Sequence, residues 1–487
     1  MSKRLKRQVI RAVPWSVAES VVNGLAGLAL TFTLAWLLEP IEVGQATIAL
    51  AVVGTIELVA ELGMAEALVS ARSGHTRVSD TAFSAVVVLG LVAAAMSWFL
   101  AGPIGRFYAE PHIAELLHVA AFILPVNALG AIPTAMFVRK MRAAAVTLRM
   151  MTTRVVTIGA TAVLAFLGYG AWSLVLGTLA GSCAALAVVL PMMSRWPRLR
   201  FSAHEFKNLI IFGAPFSIER LMWGVMTRLF WLVLGFVHGP VILGYFQFAQ
   251  RLIDETANLV QTFALRFGLS LFSALERAGR DPTEAFLKAT RLITAAAAPI
   301  FVGLAMVMPD LIAAIFASKW ASATIVGQVA ALGWIVAFPR VLVGPVLRAR
   351  GRQGGLVLYG AIATGVTVIA AALTAGHGLL IIGLAWIVRH LIGVPWSLYA
   401  IRRYLGVPVS TQISAALRPI LAAGIMAVVV FGVGDLMQGY APMKRLIAEV
   451  AIGAVTYVLT LALIDRATTR LLRDLAVDVW QLRSVAR

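Results

Sequence analysis

Seven arginines lie inside apolar stretches that otherwise have the composition of membrane-spanning helices. They are Arg154, Arg220, Arg228, Arg251, Arg266, Arg340 and Arg389. An arginine at the centre of a bilayer costs about 2.5–3.5 kcal/mol on insertion scales, so seven that faced lipid would cost on the order of 20 kcal/mol. We therefore expect most of them to face water, an anionic group or both. A basic interior of this kind predicts a negatively charged passenger.

Five of these arginines are candidate substrate-binding residues of a cationic cavity. They are Arg220, Arg228, Arg251, Arg266 and Arg340. Arg228 and Arg266 have no carboxylate within one helical turn, and a guanidinium can bind a phosphate through two parallel hydrogen bonds. The alternative is local neutralisation, because Arg251 can pair with Asp254 or Glu255 along one helix face. The sequence leaves both interpretations open.

Two glutamates, Glu57 and Glu61, are candidate ion-coupling residues. They are four positions apart and therefore share one face of a helix. Like-charge repulsion and burial both favour the protonated form of such a pair, which suits proton or cation coupling. Alternatively, these carboxylates pair with arginines of other helices, or lie in water near the helix end.

Several kinds of catalytic chemistry have no support in the sequence. The chain contains no Gly-x-x-x-x-Gly-Lys-Ser/Thr loop for nucleotide phosphates. The seven histidines occur singly, without the paired spacing of metal ligands. No large segment outside the apolar stretches offers room for a catalytic site. We therefore predict no catalytic residue, no metal site and no cofactor, and we do not expect an enzyme.

Hydropathy predicts an all-α polytopic membrane protein. Of the 487 residues, 60% are hydrophobic and 13% are charged, and the mean hydropathy is +0.90. Apolar segments of about 20 residues, the length that crosses a bilayer, recur along nearly the whole chain and predict about 14 transmembrane helices. They lie near residues 13–37, 43–65, 81–101, 113–136, 146–167, 171–193, 207–236, 241–272, 285–308, 321–347, 354–375, 378–400, 415–434 and 443–464.

The net charge of +19 follows the predicted topology. An even number of spans places both termini on one side, and most lysines and arginines outside the spans fall on that side. The exceptions are Arg106, Lys319, Lys444 and Arg445. Positive charge concentrates in cytoplasmic segments, so both termini are predicted to be cytoplasmic. Nucleic-acid binding is not needed to explain the charge, and no nucleic-acid partner is predicted.

Internal similarity predicts two pseudo-symmetric six-helix lobes followed by two C-terminal helices. The basic segment Ser194–Lys207 separates two sets of six spans, and the turn with Pro40 and Gly44 has a counterpart with Pro240 and Gly244. Two parallel lobes suit transport by alternating access. The predicted divisions are an N-terminal lobe at 1–193, a cytoplasmic linker at 194–206, a C-terminal lobe at 207–404, and the last two spans with a cytoplasmic tail at 405–487.

Eight short strings follow one another in the order found in a known family. They are ELGMAEALV (Glu61–Val69), FYAEP (Phe107–Pro111), RKMR (Arg139–Arg142), GYGAWSLVLG (Gly168–Gly177), WPRLRFS (Trp196–Ser202), FGAPFS (Phe212–Ser217), LGYFQFAQRL (Leu243–Leu252) and SKW (Ser318–Trp320). In them the chain resembles the Wzx-type polysaccharide flippases, the polysaccharide-transporter branch of the multidrug/oligosaccharidyl-lipid/polysaccharide (MOP) exporter superfamily. It departs from the family at Phe246 and Gln247, where a Tyr-Asn pair is usual.

The resemblance implies a V-shaped fold with a basic central cavity, in the bacterial inner membrane. It implies a flippase that moves undecaprenyl-pyrophosphate-linked oligosaccharide repeat units from the cytoplasmic to the periplasmic leaflet for polysaccharide biosynthesis. The implied partners are this lipid-linked oligosaccharide, the lipid bilayer, and polysaccharide polymerase and chain-length or co-polymerase proteins.

Three other functions remain open at this point. A peptidoglycan-precursor flippase has similar physical requirements and is disfavoured only by the ordered strings. A cation-coupled drug antiporter usually has twelve spans and an acidic cavity. A membrane polysaccharide polymerase or ligase normally has a large periplasmic loop, whereas the longest predicted outer connections here have roughly a dozen residues.

Overall fold

The protein is described by a computed structural model, which covers residue 24 and residues 27–470 except 62, 71–75, 278, 280, 317 and 353. At 212–223, 262–271, 273–274 and 276–277 it describes the helical backbone and not the side chains. Across this part of the chain the regular elements are all helices. The predicted all-α class is therefore confirmed.

The helices follow one another through short turns. They are α1 (Gly27–Leu37), α2 (Pro40–Glu61), α3 (Met64–Ser70), α4 (Thr76–Phe107), α5 (Pro111–Ala120), α6 (Ile123–Arg139), α7 (Ala143–Phe166), α8 (Ala171–Met192), α9 (Ala203–Arg277), α10 (Thr283–Ile315), α11 (Ala323–Ala337), α12 (Val343–Ala349), α13 (Gly354–Ala372), α14 (Leu379–Leu405), α15 (Val409–Leu436) and α16 (Pro442–Ile464). Two 3₁₀ turns, Ser318–Trp320 and Phe338–Arg340, precede α11 and α12.

Twelve of the described segments are long and apolar enough to cross a membrane. One of them, Gly224–Gln261 in α9, contains two helical stretches that meet at Gly239. Gly239 has a φ of 81°, which a residue with a Cβ rarely adopts. This point separates the predicted spans 207–236 and 241–272, while the predicted first span lies largely outside the described residues. The chain is a multi-pass membrane protein, and its helices agree with about 14 predicted spans.

Contacts divide the chain into two compact units. Unit 1 comprises Met1–Ala29, Ala249–Tyr359 and Gly378–Arg487, and unit 2 comprises Leu30–Phe248 and Gly360–His377. This grouping assigns the first part of α9 to unit 2 and the second part to unit 1. The division into lobes at 1–193 and 207–404 stays a prediction.

In unit 2, small residues allow the helices to approach closely. Ala46 and Ala49 of α2 lie in one buried cluster with Leu116 and Leu117 of α5 and Val175 of α8. Transmembrane helices associate through small residues because lipid tails provide no hydrophobic drive between helices. The packed faces hold α2, α5 and α8 in a fixed arrangement.

The two proline–glycine turns noted in the sequence meet in the structure. A Cβ on Gly44 would overlap the carbonyl group of Pro240, and a Cβ on Gly244 would overlap the carbonyl group of Pro40. The contact is reciprocal, as expected for equivalent positions of an internal repeat. Glycine is required at both places because backbone lies where a side chain would begin.

In unit 1, α10 packs against α15 and α16. Ala298 and Val302 of α10 share a buried cluster with Ala423 and Met426 of α15 and Tyr457 of α16. The hydroxyl of Tyr457 donates a 2.7 Å hydrogen bond to the carbonyl oxygen of Ala295, so the polar tip of this buried ring is satisfied. The two C-terminal helices are therefore integral to the packing of unit 1.

Candidate functional site

A polar cavity of about 870 Å³ lies within unit 2. It is bounded by residues of α2, α3, α6, α7 and α8. Its polar lining residues are Glu57, Glu61, Glu66, Asn127, Thr134, Arg149, Thr153, Arg154 and Ser182. A cavity of this size falls within the range of small-molecule binding sites.

The predicted carboxylate pair stands on the last two turns of α2 and faces this cavity. The side-chain amide of Asn127, on α6, donates a 2.8 Å hydrogen bond to Oε1 of Glu57. The guanidinium of Arg149, on α7, interacts electrostatically with both Glu57 and Glu61. The structure thus combines the two interpretations of the pair, because the carboxylates line a cavity and also face an arginine of another helix.

Glycines on α8 determine where the α7 side chains stand. A Cβ on Gly181 would collide with Oγ1 of Thr157, and a Cβ on Gly177 would collide with Oγ1 of Thr161. Because Gly177 and Gly181 have no Cβ, α7 lies directly against α8, with the small-xxx-small spacing of close helix pairs. This packing fixes the turn of α7 that carries Arg149 and Thr153 at the wall of the cavity.

The side chains that line the cavity can bind a ligand with many hydroxyl groups. Carboxylates accept hydrogen bonds from hydroxyl groups, guanidinium groups and amides donate them, and threonine and serine hydroxyls do both. Nε of Arg149 is buried and donates to no atom in the described part of the chain. A ligand rich in hydroxyl groups can satisfy these groups, because each hydroxyl both donates and accepts.

Unit 1 contains a second group of buried charges, around Arg389 of α14. Its guanidinium lies 3.4 Å from the centroid of the Trp386 ring and interacts with the charge of Asp254 on α9. Asp254 accepts a 2.7 Å hydrogen bond from Nε2 of Gln250. The hydroxyl of Tyr359 donates to the backbone carbonyl of Arg389 at 3.0 Å. These contacts neutralise charge within the helix bundle.

Arg340 stands beside this buried group. Its Nε donates to the carbonyl oxygen of Val336 at 3.2 Å, and its charge acts on Arg389. A Cβ on Gly393 of α14 would overlap the guanidinium of Arg340, so a glycine at that position makes the space for it. Arg340 also lines an apolar cavity of unit 1, of about 340 Å³.

The other predicted cationic residues have different surroundings. Arg228 is half-buried in unit 2, donates to the carbonyl oxygen of Gly224 at 3.2 Å and packs against Gly54 of α2. Arg251 is exposed on α9. The side chains of Arg220 and Arg266 lie outside the described residues. The five predicted binding arginines therefore stay a prediction, and the cations described at the cavity of unit 2 are Arg149 and Arg154.

The two residues that act directly on the predicted carboxylates, Arg149 and Asn127, are not among the residues predicted for the site. Arg149 was counted among the cytoplasmic charges, because it lies only a few residues after the basic string Arg139–Arg142. Asn127 was passed over, although an amide within an apolar span was a usable signal. Both become visible as site residues only once α2, α6 and α7 line the same cavity.

Comparison with known families shows a match over most of the chain. The family model described as "Polysaccharide biosynthesis protein" matches residues 33–325. The Succinoglycan biosynthesis transport protein ExoT of Rhizobium meliloti (strain 1021) is 24% identical over 478 residues, covering 96% of this chain and 96% of that protein. The Teichuronic acid biosynthesis protein TuaB of Bacillus subtilis (strain 168) is 22% identical over 426 residues, covering 83% and 85%.

Solved structures with a similar fold include two membrane transporters. The Lipid II flippase MurJ, in an inward closed conformation, has a TM-score of 0.76 at 16% identity and covers 92% of this chain and 98% of its own. An inward-facing multidrug resistance MATE family transporter of the MOP superfamily has a TM-score of 0.60 at 15% identity and covers 80% and 96%. At these identities the likeness shows the fold.

Proposed function

Because the chain belongs to the polysaccharide biosynthesis protein family, we propose that it is a flippase for lipid-linked oligosaccharides. Its substrate would be the oligosaccharide repeat unit on undecaprenyl pyrophosphate, moved from the cytoplasmic to the periplasmic leaflet of the bacterial inner membrane. This substrate is the one that the family resemblance of the sequence implies. The family match and the fold of MOP-superfamily transporters support the same kind of activity.

The observation that carries the proposal is the polar cavity inside a membrane-spanning unit. A saccharide loses many hydrogen bonds to water when it leaves the aqueous phase, and each unsatisfied polar group costs several kcal/mol in hydrocarbon. Glu57, Glu61, Asn127 and Arg149 offer acceptors and donors in compensation. We propose that these side chains bind the saccharide hydroxyls of the passenger.

The pyrophosphate is the second polar part of the proposed passenger. Its charge requires cations that stay ionised inside the protein, and the guanidinium group does so. We propose that Arg228 and Arg340, with Arg220, Arg251 and Arg266, contribute to its binding. Both Arg228 and Arg340 are half-buried, each in its own unit. The same proposal includes alternating access with a cationic central cavity and ion coupling through Glu57 and Glu61. It also includes a partnership with polymerase and co-polymerase proteins.

The comparisons favour this function over the alternatives. The likeness to the Lipid II flippase shows the fold alone, whereas the family model and both curated relatives concern polysaccharide or teichuronic acid biosynthesis. The likeness to a multidrug transporter likewise concerns the fold. The relatives are transport or biosynthesis proteins, so a transporter rather than a polymerase or ligase is proposed.

Export of the polymer in cells tests the proposal. Deleting the gene in its host should stop polymer export and cause carrier-linked repeat units to accumulate, because synthesis on the cytoplasmic leaflet continues. Arg149→Gln should reduce export by about tenfold to a hundredfold, since a hydrogen bond to a charged group contributes about 1.5–3 kcal/mol.

A matched control is Arg77→Gln, which removes an exposed arginine at the start of α4. Its export should equal that of the wild type at equal protein levels. Normal export in the deletion strain, without accumulation of carrier-linked units, would rule out the proposed function. Normal export by Arg149→Gln would exclude this cavity as the saccharide site.

A further inference from the structure

Two buried carboxyl groups meet between α10 and α16 of unit 1, away from the polar cavity. Asp310 lies near the C-terminal end of α10 and Glu449 in the second turn of α16, and each is 4% exposed. The two side chains lie within hydrogen-bonding reach of each other. Two ionised carboxylates have no proton to donate to each other, so such a contact requires a proton on one of them.

The surroundings of the pair provide one positive charge. Nε of Arg445 donates a 2.8 Å hydrogen bond to Oδ1 of Asp310, and its terminal nitrogen contacts the same oxygen. From α15, Gly434 faces Glu449, where a Cβ would lie 2.5 Å from Oε1. The charges that act on Glu449 are thus Asp310 from α10 and Arg445 from its own helix. With both carboxyl groups ionised, the buried group carries a net charge of about −1.

One carboxyl oxygen of the pair is buried without a hydrogen-bond donor in the described part of the chain. Oε2 of Glu449 is buried and receives no hydrogen bond from the described residues. A buried carboxylate oxygen without a donor is costly, and so is an uncompensated buried charge. A single proton removes the uncompensated charge, because it neutralises the group, and it allows a hydrogen bond between the two carboxyl groups.

We propose that Asp310 and Glu449 form a proton-binding site that holds one shared proton between α10 and α16. Arg445 balances the charge that remains on the pair. On release, the proton leaves to water and both carboxylates stay behind ionised. In the predicted topology this end of α10 and α16 faces the periplasmic side, and the Arg445 side chain is 22% exposed, so exchange would occur from that side.

The site has a consequence for the C-terminal helices. Losing the proton leaves an uncompensated negative charge buried between α10 and α16, which weakens their contact. The packing of α16 on unit 1 therefore depends on proton occupancy. This inference is independent of the proposed transport, and its test uses no lipid-linked substrate.

Infrared difference spectroscopy of the purified full chain in lipid nanodiscs tests the site directly. A pH titration of the wild type should include the C=O stretch of a protonated carboxylic acid that is present at neutral pH and lost at alkaline pH. Glu449→Gln and Asp310→Asn should each remove this band. The matched control Asp435→Asn, at an exposed carboxylate that ends α15, should retain it.

Thermal unfolding provides a second readout that does not depend on band assignment. Glu449→Gln keeps a neutral group that can donate to Asp310, so this variant should fold and should lose the pH dependence that the wild type shows over the titration of the band. The proposal would be overturned if the infrared band persisted in both Glu449→Gln and Asp310→Asn. It would also be overturned if the wild type lacked the band at every pH. The same pH dependence of unfolding in Glu449→Gln and wild type would overturn it as well.

Discussion

Arg389 shows how a single charged residue of this chain is stabilised inside a membrane-spanning helix. The sequence predicts that such arginines face water or an anionic group, and Arg389 packs on Trp386 and interacts with the charge of Asp254. A cation over an indole face is attracted by the ring quadrupole, and a nearby carboxylate balances its charge. The charge of Arg389 is thus balanced within unit 1.

Removing the carboxylate that acts on Arg389 should destabilise unit 1. Asp254→Asn takes away the charge that balances the buried Arg389 guanidinium, and a buried charge without compensation is destabilising. We expect a clearly lower melting temperature in detergent for this variant. The double variant Asp254→Asn with Arg389→Gln should recover part of the loss, because no buried charge remains. Equal melting temperatures of Asp254→Asn and wild type would show that the pair contributes nothing.

The carboxylates of the polar cavity allow a separate test of ion coupling. If Glu57 and Glu61 couple transport to protons or cations, Glu57→Gln and Glu61→Gln should abolish the dependence of transport on pH or ions in proteoliposomes. Glu115→Gln, at an exposed glutamate of α5, is the control. Transport by the Glu57 and Glu61 variants with unchanged pH and ion dependence would exclude both residues from coupling and leave them a binding role.

At the scale of elements, the turn between α4 and α5 anchors α9. It contains the string Phe107–Pro111, by which the chain resembles its family. The Phe107 ring stacks on Phe236 of α9, with centroids 4.1 Å apart and planes at 11°. The hydroxyl of Tyr108 donates a 2.8 Å hydrogen bond to the carbonyl oxygen of Leu232. The string was noted as a resemblance, and the structure gives it a packing role.

Tyr108 makes the anchoring of α9 sensitive to alkaline pH. Burial raises the pKa of Tyr108 from 10 to about 12. A group with a raised pKa in the folded state contributes stability that is complete below its unfolded pKa of about 10 and is lost as the pH rises through the folded value. The melting temperature should therefore fall between about pH 10 and 12, and less so in Tyr108→Phe. Tyr440→Phe, at an exposed tyrosine, should behave as wild type.

The reciprocal backbone contact between α2 and α9 should tolerate no side chain at Gly44 or Gly244. Gly44→Ala or Gly244→Ala places a methyl group on a backbone carbonyl, Pro240 or Pro40, which cannot move as a flexible side chain can. We expect sharply lower yields of folded protein in detergent, judged by size-exclusion chromatography. Gly424→Ala on α15 has open space around the new Cβ and should give wild-type yields. Normal yields for both contact variants would mean that the helices can separate without penalty.

At the scale of the whole molecule, the sequence predicted the helical fold and its spans, whereas its site residues stay a prediction. Long apolar runs are imposed by the bilayer, so helix positions follow from hydropathy alone. The spacing of Glu57 and Glu61 on one helix is visible in the sequence, and both residues line the cavity of unit 2. The approach of Arg149 to them depends on α2 and α7 lining the same cavity, which no periodicity of the sequence encodes. Arg251, predicted as a cavity residue, is exposed.

Movement of the lipid-linked oligosaccharide between leaflets is the most direct test of the proposed function. Proteoliposomes containing the purified chain and a fluorescent undecaprenyl-pyrophosphate oligosaccharide would be treated with a membrane-impermeant quencher. The wild type should expose the inner-leaflet pool to quenching much faster than protein-free vesicles, and Arg149→Gln should slow this exposure by about tenfold or more. Equal rates with and without the protein, at verified reconstitution, would contradict a flippase for this substrate.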